Sequence, residues 1–293
     1  MKNGCEILIV GAGITGLTIA RELLRRGYGD ITIIEKERRP GAHASGRNSG
    51  VLHAGVYYSP GTYKARFCVE GNRLMKEFCR EKGLSLEESG KVIVTDGSPD
   101  GLHELKRRAE SSGASCRIID RNELMEIEPY ALPAEKALYS PETAVVDPVE
   151  IIDALASELE ASGRVRLFYG TSFGGLREGE GIMTNRGILG YDLLVNAAGT
   201  YADRIAAAYG IGSQYRVLPF KGTYKLLTPS KTYLVRGSIY PVPDLRNPFL
   251  GLHFTRSVYG DVYIGPGVVP ALGREEYGFM TDLSAESAAI LYR

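Results

Sequence analysis

Residues Cys5 to Glu35 read CEILIVGAGITGLTIARELLRRGYGDITIIE, and this stretch decides the fold. Ile7, Leu8, Ile9 and Val10 form a short apolar run suited to a strand buried on both faces. Gly11, Gly13 and Gly16 follow as GxGxxG: the first permits a tight turn, the second lets backbone approach a pyrophosphate, the third lets the helix lie close on the strand. The helix carries Leu17, Ala20, Leu23 and Leu24, and its N-terminus aims free N–H groups at phosphate oxygens. A second apolar strand, Ile31 to Ile34, ends at Glu35, nineteen residues past Gly16. An acid at that spacing accepts from a ribose 2′-OH, which favours FAD or NAD over NADP. The bare glycine pattern is weak in a chain with 36 glycines; the strand, helix and acid around it give it weight.

Outward from this unit, 293 residues are enough for one large or two intertwined domains. Apolar content of 44% and charged content of 24% are those of a globular chain. Thirty-five basic residues balance thirty-five acidic ones, so no net field argues for nucleic acid or an anionic membrane. Cys5, Cys68, Cys79 and Cys116 show no CxxC and no metal-ligand spacing, so no metal site is expected, and a reducing, cytoplasmic setting fits them. No transmembrane run or signal peptide is evident; docking at a membrane surface is left open.

After Glu35 a glycine-rich loop, KERRPGAHASGRNSG, is expected to lie against a ligand, and VLHAGVYYSPG (Val51 to Gly61) precedes a helical pattern that stops at Gly83. Strands are expected over Leu84–Glu88 and Lys91–Thr95, a helix over Asp100–Ser111, a strand over Cys116–Ile119, and a short helix opened by Asp120 and Glu123. Asp147-Pro148 opens a helix to Ala161, and Val165–Phe168 reads as a strand. YDLLVNAAG (Tyr191 to Gly199) is a strand ending in small residues, either for close approach to a cofactor or for a tight turn. From Tyr215 the pattern turns to period two, with strands expected at Tyr215–Leu218, Thr223–Leu227, Thr232–Val235, Phe249–Phe254 and Val262–Ile264: an antiparallel sheet that could roof a ligand.

Together with SGRNSGVLHAGVYYSPGTYKARFCVEG (Ser45 to Gly71), LLVNAAG and FLGLHFTRSVYGDVYIGPG (Phe249 to Gly267), the chain resembles the FAD-dependent amine and hydroxy-acid oxidase superfamily, and within it the L-2-hydroxyglutarate dehydrogenase/oxidase group. The resemblance implies an α/β fold in which a Rossmann-like FAD-binding domain (1–83 and 136–212) is joined to a second, α+β substrate or cap domain (84–135 and 213–293) built on a mainly antiparallel sheet. It implies FAD as cofactor, a small 2-hydroxy acid oxidised at C2 by hydride transfer, and oxygen or a quinone as electron acceptor. The chain departs from the group at Pro219-Phe220-Lys221-Gly222-Thr223-Tyr224-Lys225, where relatives tend to carry an arginine and an acid. Lysine for arginine at a bidentate carboxylate contact is not a conservative change. A glycerol-3-phosphate or amino-acid oxidase of the same superfamily, and a non-catalytic flavin-binding subunit, are the alternatives.

Such chemistry needs a base for the hydroxyl proton and cations for carboxylates. With an ordinary pKa near ~6.5, histidine suits the first task. His103 sits in a polar helix and reads as a surface residue; His43, in the ligand-side loop, either contacts phosphate or ribose or is solvated. His53, flanked by Gly50 and Gly55, and His253, on the strand face opposite Leu252 and Phe254, are the candidate bases, with a hydrogen-bonded structural role the alternative for each. Lys221, Arg256 and Arg47 are candidates for the substrate carboxylates, with Tyr57 or Tyr58 donating hydrogen bonds. Gly11, Gly13, Gly16, Glu35, Ser45, Asn48, Ser49, Ala198 and Gly199 are expected along the FAD path, although Ser45, Asn48 and Ser49 are equally suited to capping a helix. The sequence stops at Arg293 inside SAESAAILYR, a helical pattern without a stop signal. The expectation is that a strand returning beside YDLLVNAAG is absent, through truncation, through a broken gene, or because a second polypeptide completes the flavin site.

Overall fold

The computed structural model describes residues 4–95, 97, 99–244 and 251–278. In chain order the strands are β1 Gly4–Val10, β2 Ile31–Glu35, β3 Val51–Leu52, β4 Leu86–Glu87, β5 Lys91–Val94, β6 Arg117–Asp120, β7 Lys136–Ser140, β8 Ala144–Val146, β9 Val165–Tyr169, β10 Phe173–Arg177, β11 Gly181–Thr184, β12 Gly187–Asn196, β13 Phe220–Leu226, β14 Ser238–Pro241, β15 His253–Arg256 and β16 Val262–Pro270. The helices are α1 Ile14–Arg25, α2 Tyr63–Lys82, α3 Asp100–Ser111, α4 Arg121–Ile127, α5 Pro148–Ala161 and α6 Ala202–Ala208. The fold is mixed α/β, with parallel and antiparallel sheets, and the described residues fall in two compact units: those within 1–48, 148–221 and 270–293 form one, those within 49–147 and 222–269 the other.

The first unit is built on a six-stranded sheet in the order β10-β11-β12-β1-β2-β9. Its centre is parallel: β1 lies between β12 (Val10 opposite Asn196) and β2 (Val10 opposite Ile34), and β2 pairs with β9. The Ile7–Val10 run is buried as a strand covered on both faces must be, with Leu8 and Ile9 at 0% exposure. Leu8, Val10 and Ile34 pack with Ile182 and Ile205 in one cluster, while α1 packs on α5, where Arg21 Nε reaches Glu158 Oε1 at 2.6 Å. β12 is only half-buried, and its Leu193 is 52% exposed.

The second unit carries a seven-stranded sheet in the order β13-β16-β15-β14-β5-β7-β6 and a small antiparallel sheet β3-β8-β4. The inserted strands β5 to β7 join β13 to β16 in one sheet through a parallel β14–β5 pair, with Tyr240 opposite Ile93. Residues 49–83 and 136–147, expected with the nucleotide domain, fall in this unit. β3 pairs with β8, and the side-chain amide of Asn72 on α2 donates to the Leu52 and Glu142 carbonyls, so these segments are tied to one another.

Two expected strands are absent. At Thr232–Val235 the chain forms a 3-10 helix, Pro229–Leu234, because Pro229 presets the first helical φ and Val235 N–H turns back to the Thr232 carbonyl. At Tyr215–Leu218 the backbone is irregular: Tyr215 N–H closes a turn on Gly212, and Val217 N–H is taken by the Asp203 carboxylate, so no ladder forms. The first residues of the expected Phe249–Phe254 strand, and the helical pattern of 284–293, lie outside the described residues.

Candidate functional site

In the first unit the turn between β1 and α1 is shaped by what touches it. Gly11 has φ +109°, and a Cβ there would collide with the Ala197 carbonyl; a Cβ at Gly16 would collide with the carbonyl of Gly11. A Cβ at Gly13 would come to 2.9 Å from Ser45 Oγ. The end of β12 therefore runs against the turn, with Ala197 N–H donating to Val10 O at 2.9 Å, before Ala198 and a 3-10 turn opened by Gly199. Glu35, 9% exposed, accepts from Ala12 N–H with Oε2 and from Glu37 N–H with Oε1, each at 2.9 Å. Ser45 Oγ accepts from Ile14 N–H at 3.0 Å at the start of α1, and Asn48 donates to the Ala44 and Ser45 carbonyls. Ser45 and Asn48 thus hold the loop to the helix start. Bare glycine backbone, a helix N-terminus and a carboxylate that retains lone pairs make a donor and acceptor set that fits a dinucleotide's pyrophosphate and ribose.

In the second unit, His53, Tyr57, Lys91, Tyr240 and His253 form one cluster. The alternation on β15 holds: His253 and Thr255 are buried at 5% and 1%, while Leu252 and Phe254 are exposed. The His253 ring stacks on Tyr240, centroids 3.8 Å apart, and its Nδ1 lies 2.8 Å from the Gly251 carbonyl. A carbonyl partner requires N–H at Nδ1, which leaves the Nε2 lone pair as the basic atom. His53 packs edge-on against both Tyr57 and Tyr240, and its Nδ1 and the Tyr57 hydroxyl are buried with no hydrogen-bond partner among the described residues. Burial, helped by the Lys91 charge, pushes His53 down to about 3; burial also lowers His253, against the opposing pull of the Gly251 carbonyl. Desolvation raises Tyr57 well above the usual tyrosine value and Tyr58 to about 12. Ser49 lies beside Tyr224 in the same unit.

The three candidate cations already have protein partners. Lys221 Nζ is 3.2 Å from Glu276 Oε1 and also meets the Gly278 carbonyl. Arg47 donates to Ala42 O and lies over the Tyr277 ring at 4.1 Å. Arg256 donates to the Thr232 and Val235 carbonyls, fastening β15 to the 3-10 helix. His43 bonds the Tyr277 hydroxyl at 2.7 Å, and His103 is exposed. Glu37, His43 and Glu275 could jointly face a metal ion, but Lys36 Nζ sits among them, 2.6 Å from Glu275, and balances their charge.

Sequence reasoning passed over Lys91 and Tyr240. The strand KVIV gives one clue: Lys91 shares a face with Ile93, which packs in the same apolar cluster as Tyr240. A cleft of about 800 Å³, lined by Thr62, Arg66, Glu70, Arg73 and Ser112 among others, includes none of the histidines.

Known proteins give this geometry a context. The chain is 37% identical to human mitochondrial L-2-hydroxyglutarate dehydrogenase over 290 residues, 93% of this chain and 62% of that protein. It is 35% identical to L-2-hydroxyglutarate dehydrogenase of Escherichia coli K12 over 280 residues, 93% of this chain and 66% of that one. The chain thus spans somewhat under two thirds of the human relative's length. Its fold is similar to that of L-alpha-glycerophosphate oxidase from Mycoplasma pneumoniae, solved with FAD bound, with a TM-score of 0.83 at 22% identity over 98% of this chain and 77% of that one. L-proline dehydrogenase from P. horikoshii gives 0.81 at 24% identity over 99% and 77%. Among described residues no helix is long and apolar enough to cross a membrane. The model of the FAD dependent oxidoreductase family matches residues 6–293, and the chain belongs to that family.

Proposed function

We propose that this chain oxidises a small 2-hydroxy acid, L-2-hydroxyglutarate first, to the 2-oxo acid, passing the electrons on to oxygen or a quinone. The observation that carries the reading is His253: a buried, neutral imidazole on a strand, with Nδ1 committed to a backbone carbonyl and Nε2 left as the proton acceptor. The names of relatives 35–37% identical supply the substrate class. FAD would be held by the Gly11–Gly16 turn, Glu35 and the Ala198-Gly199 segment, with Ser45, Asn48 and Ser49 lining its path, and when bound it supplies hydride-accepting chemistry. The chain's own task is to take the hydroxyl proton and to fix the carboxylates.

His253, or His53 in its place, takes the proton. Both imidazoles are neutral and able to accept a proton at pH 7; the drop of His53 to about 3 weakens it as a base, which favours His253 for the role. Tyr57 or Tyr58 donates to the substrate; the Tyr57 hydroxyl, buried and without a hydrogen-bond partner among the described residues, gains most from an acceptor. For the carboxylates we propose Lys221 and Arg47, each in exchange for its present partner; Arg256, a further candidate from the sequence, lies on the β15 face opposite His253 and is held by the Thr232 and Val235 carbonyls. The two compact units are assigned as a nucleotide unit and a substrate unit, and four free cysteines suit a reducing compartment such as the cytoplasm. Anaerobic bleaching of the flavin tests the substrate: L-2-hydroxyglutarate should reduce it. Bleaching only by glycerol 3-phosphate or an amino acid would replace this reading, and a flavin that nothing reduces would indicate a non-catalytic subunit.

A further inference from the structure

Lys91 is the residue of the second unit that its surroundings least explain. Its side chain is 1% exposed, and its Nζ has no hydrogen-bond partner among the described residues. The Nζ instead lies over two aromatic faces, 4.3 Å from the centroid of Tyr57 and 4.9 Å from that of Tyr240. A buried amine without a hydrogen bond is destabilising, and a methionine of similar length would fill the same volume without that cost. Retained costs of this kind mark positions where charge has a use beyond folding.

We propose that Lys91 is a positioning residue for the His53–Tyr240–His253 arrangement, acting through the two tyrosine rings and through its charge. The route is short. Lys91 contacts Tyr57 and Tyr240; His53 packs edge-on against both rings, and His253 stacks on Tyr240. A cation over an aromatic face attracts the ring, so Lys91 fixes the surface on which both imidazoles rest. Its charge also opposes a proton on either histidine, adding to the effect of burial. The other titratable groups facing this centre are Cys68 from α2 and Tyr58 beside it, with Tyr224 acting on Tyr240. Cys68 donates to the His53 carbonyl, and its charge when ionised would favour the ammonium. Burial holds Lys91 itself near 7, so the charge on this centre changes close to neutral pH.

The inference rests on reading His53 and His253 as the proton-handling pair, and its test uses no turnover. Imidazole Cε1–H resonances of the full chain are followed against pH in wild type, Lys91→Met and Lys91→Arg, alongside thermal melting. In Lys91→Met the midpoints of His53 and His253 should rise by on the order of one pH unit while the melting temperature stays level or rises. Lys91→Arg, which keeps the charge, should leave the midpoints near wild type. Midpoints in Lys91→Met that superimpose on wild type overturn the proposal. Should Lys91→Met not fold, wild type decides alone: both imidazole resonances should respond near pH 7, where Lys91 loses its proton, and their indifference there overturns it. If the midpoints move and no hydroxy acid bleaches the flavin, the substrate reading fails and the role of Lys91 stands.

Discussion

The imidazole of His253 lies flush on the phenol ring of Tyr240, with centroids 3.8 Å apart and planes 13° apart, while its Nδ1 is fixed on the Gly251 carbonyl. One contact sets the ring plane and the other sets the tautomer. In Tyr240→Phe the stack survives, and flavin reduction should stay close to wild type. Tyr240→Leu removes it: a double-mutant cycle with His253→Asn should return a coupling of about 0.5–1.5 kcal/mol in the flavin reduction rate. Additive effects would mean that the stack does not serve the histidine.

The two histidines can be separated. Replacing the true base by alanine should slow flavin reduction roughly 10²–10⁴-fold in rapid-mixing measurements while the flavin stays bound. His253 is the expected site of the larger loss, because its tautomer is fixed and His53 has no partner at Nδ1. Wild-type rates in both His53→Ala and His253→Ala would remove the proposed chemistry.

Glu35 joins two roles that sequence spacing alone does not distinguish. Its carboxylate fastens the Ala12 and Glu37 N–H groups, and the proposed ribose contact would use its remaining lone pairs. Glu35→Gln keeps the shape and loses the charge; hydrogen bonds to charged groups are worth about 1.5–3 kcal/mol, so FAD should dissociate roughly 10–100-fold more readily. Equal flavin occupancy in titrations of wild type and Glu35→Gln would dismiss the ribose role.

Stability should depend on pH in a way that reports burial of the cluster. Lys91 is held near 7 in the folded chain against an ordinary 10.5, so between these values the unfolded chain binds more protons and stability rises with pH. His53, held near 3 against 6.5, does the same between those two values. The wild-type melting temperature should therefore gain on that of Lys91→Met as the pH rises from 7 toward 10. Parallel pH curves for the two proteins would contradict burial of the amine.

The legible parts of this chain were those that local chemistry decides. Gly11, Gly13, Gly16 and Glu35 occupy one β-turn-α-β unit whose requirements lie within a few dozen residues, and α3 begins and ends where its pattern does. The Thr232–Val235 stretch misled because period-two alternation over four residues cannot outweigh a proline three residues upstream. Tyr215–Leu218 misled because its backbone partner, Asp203, is a side chain twelve or more residues away. Lys91 and Tyr240 were hidden for a further reason. A lysine at a strand end ordinarily reaches water, but the pairing of β14 with β5 brings Tyr240 over it and the segment between β3 and α2 brings Tyr57.

Anaerobic titration of the FAD-loaded chain with L-2-hydroxyglutarate, followed by flavin absorbance, decides whether this chain oxidises a 2-hydroxy acid. The expected result is full bleaching with 2-oxoglutarate formed in equal amount, slowed in His253→Ala. A flavin that stays oxidised with L-2-hydroxyglutarate, but bleaches with glycerol 3-phosphate or an amino acid, would contradict it.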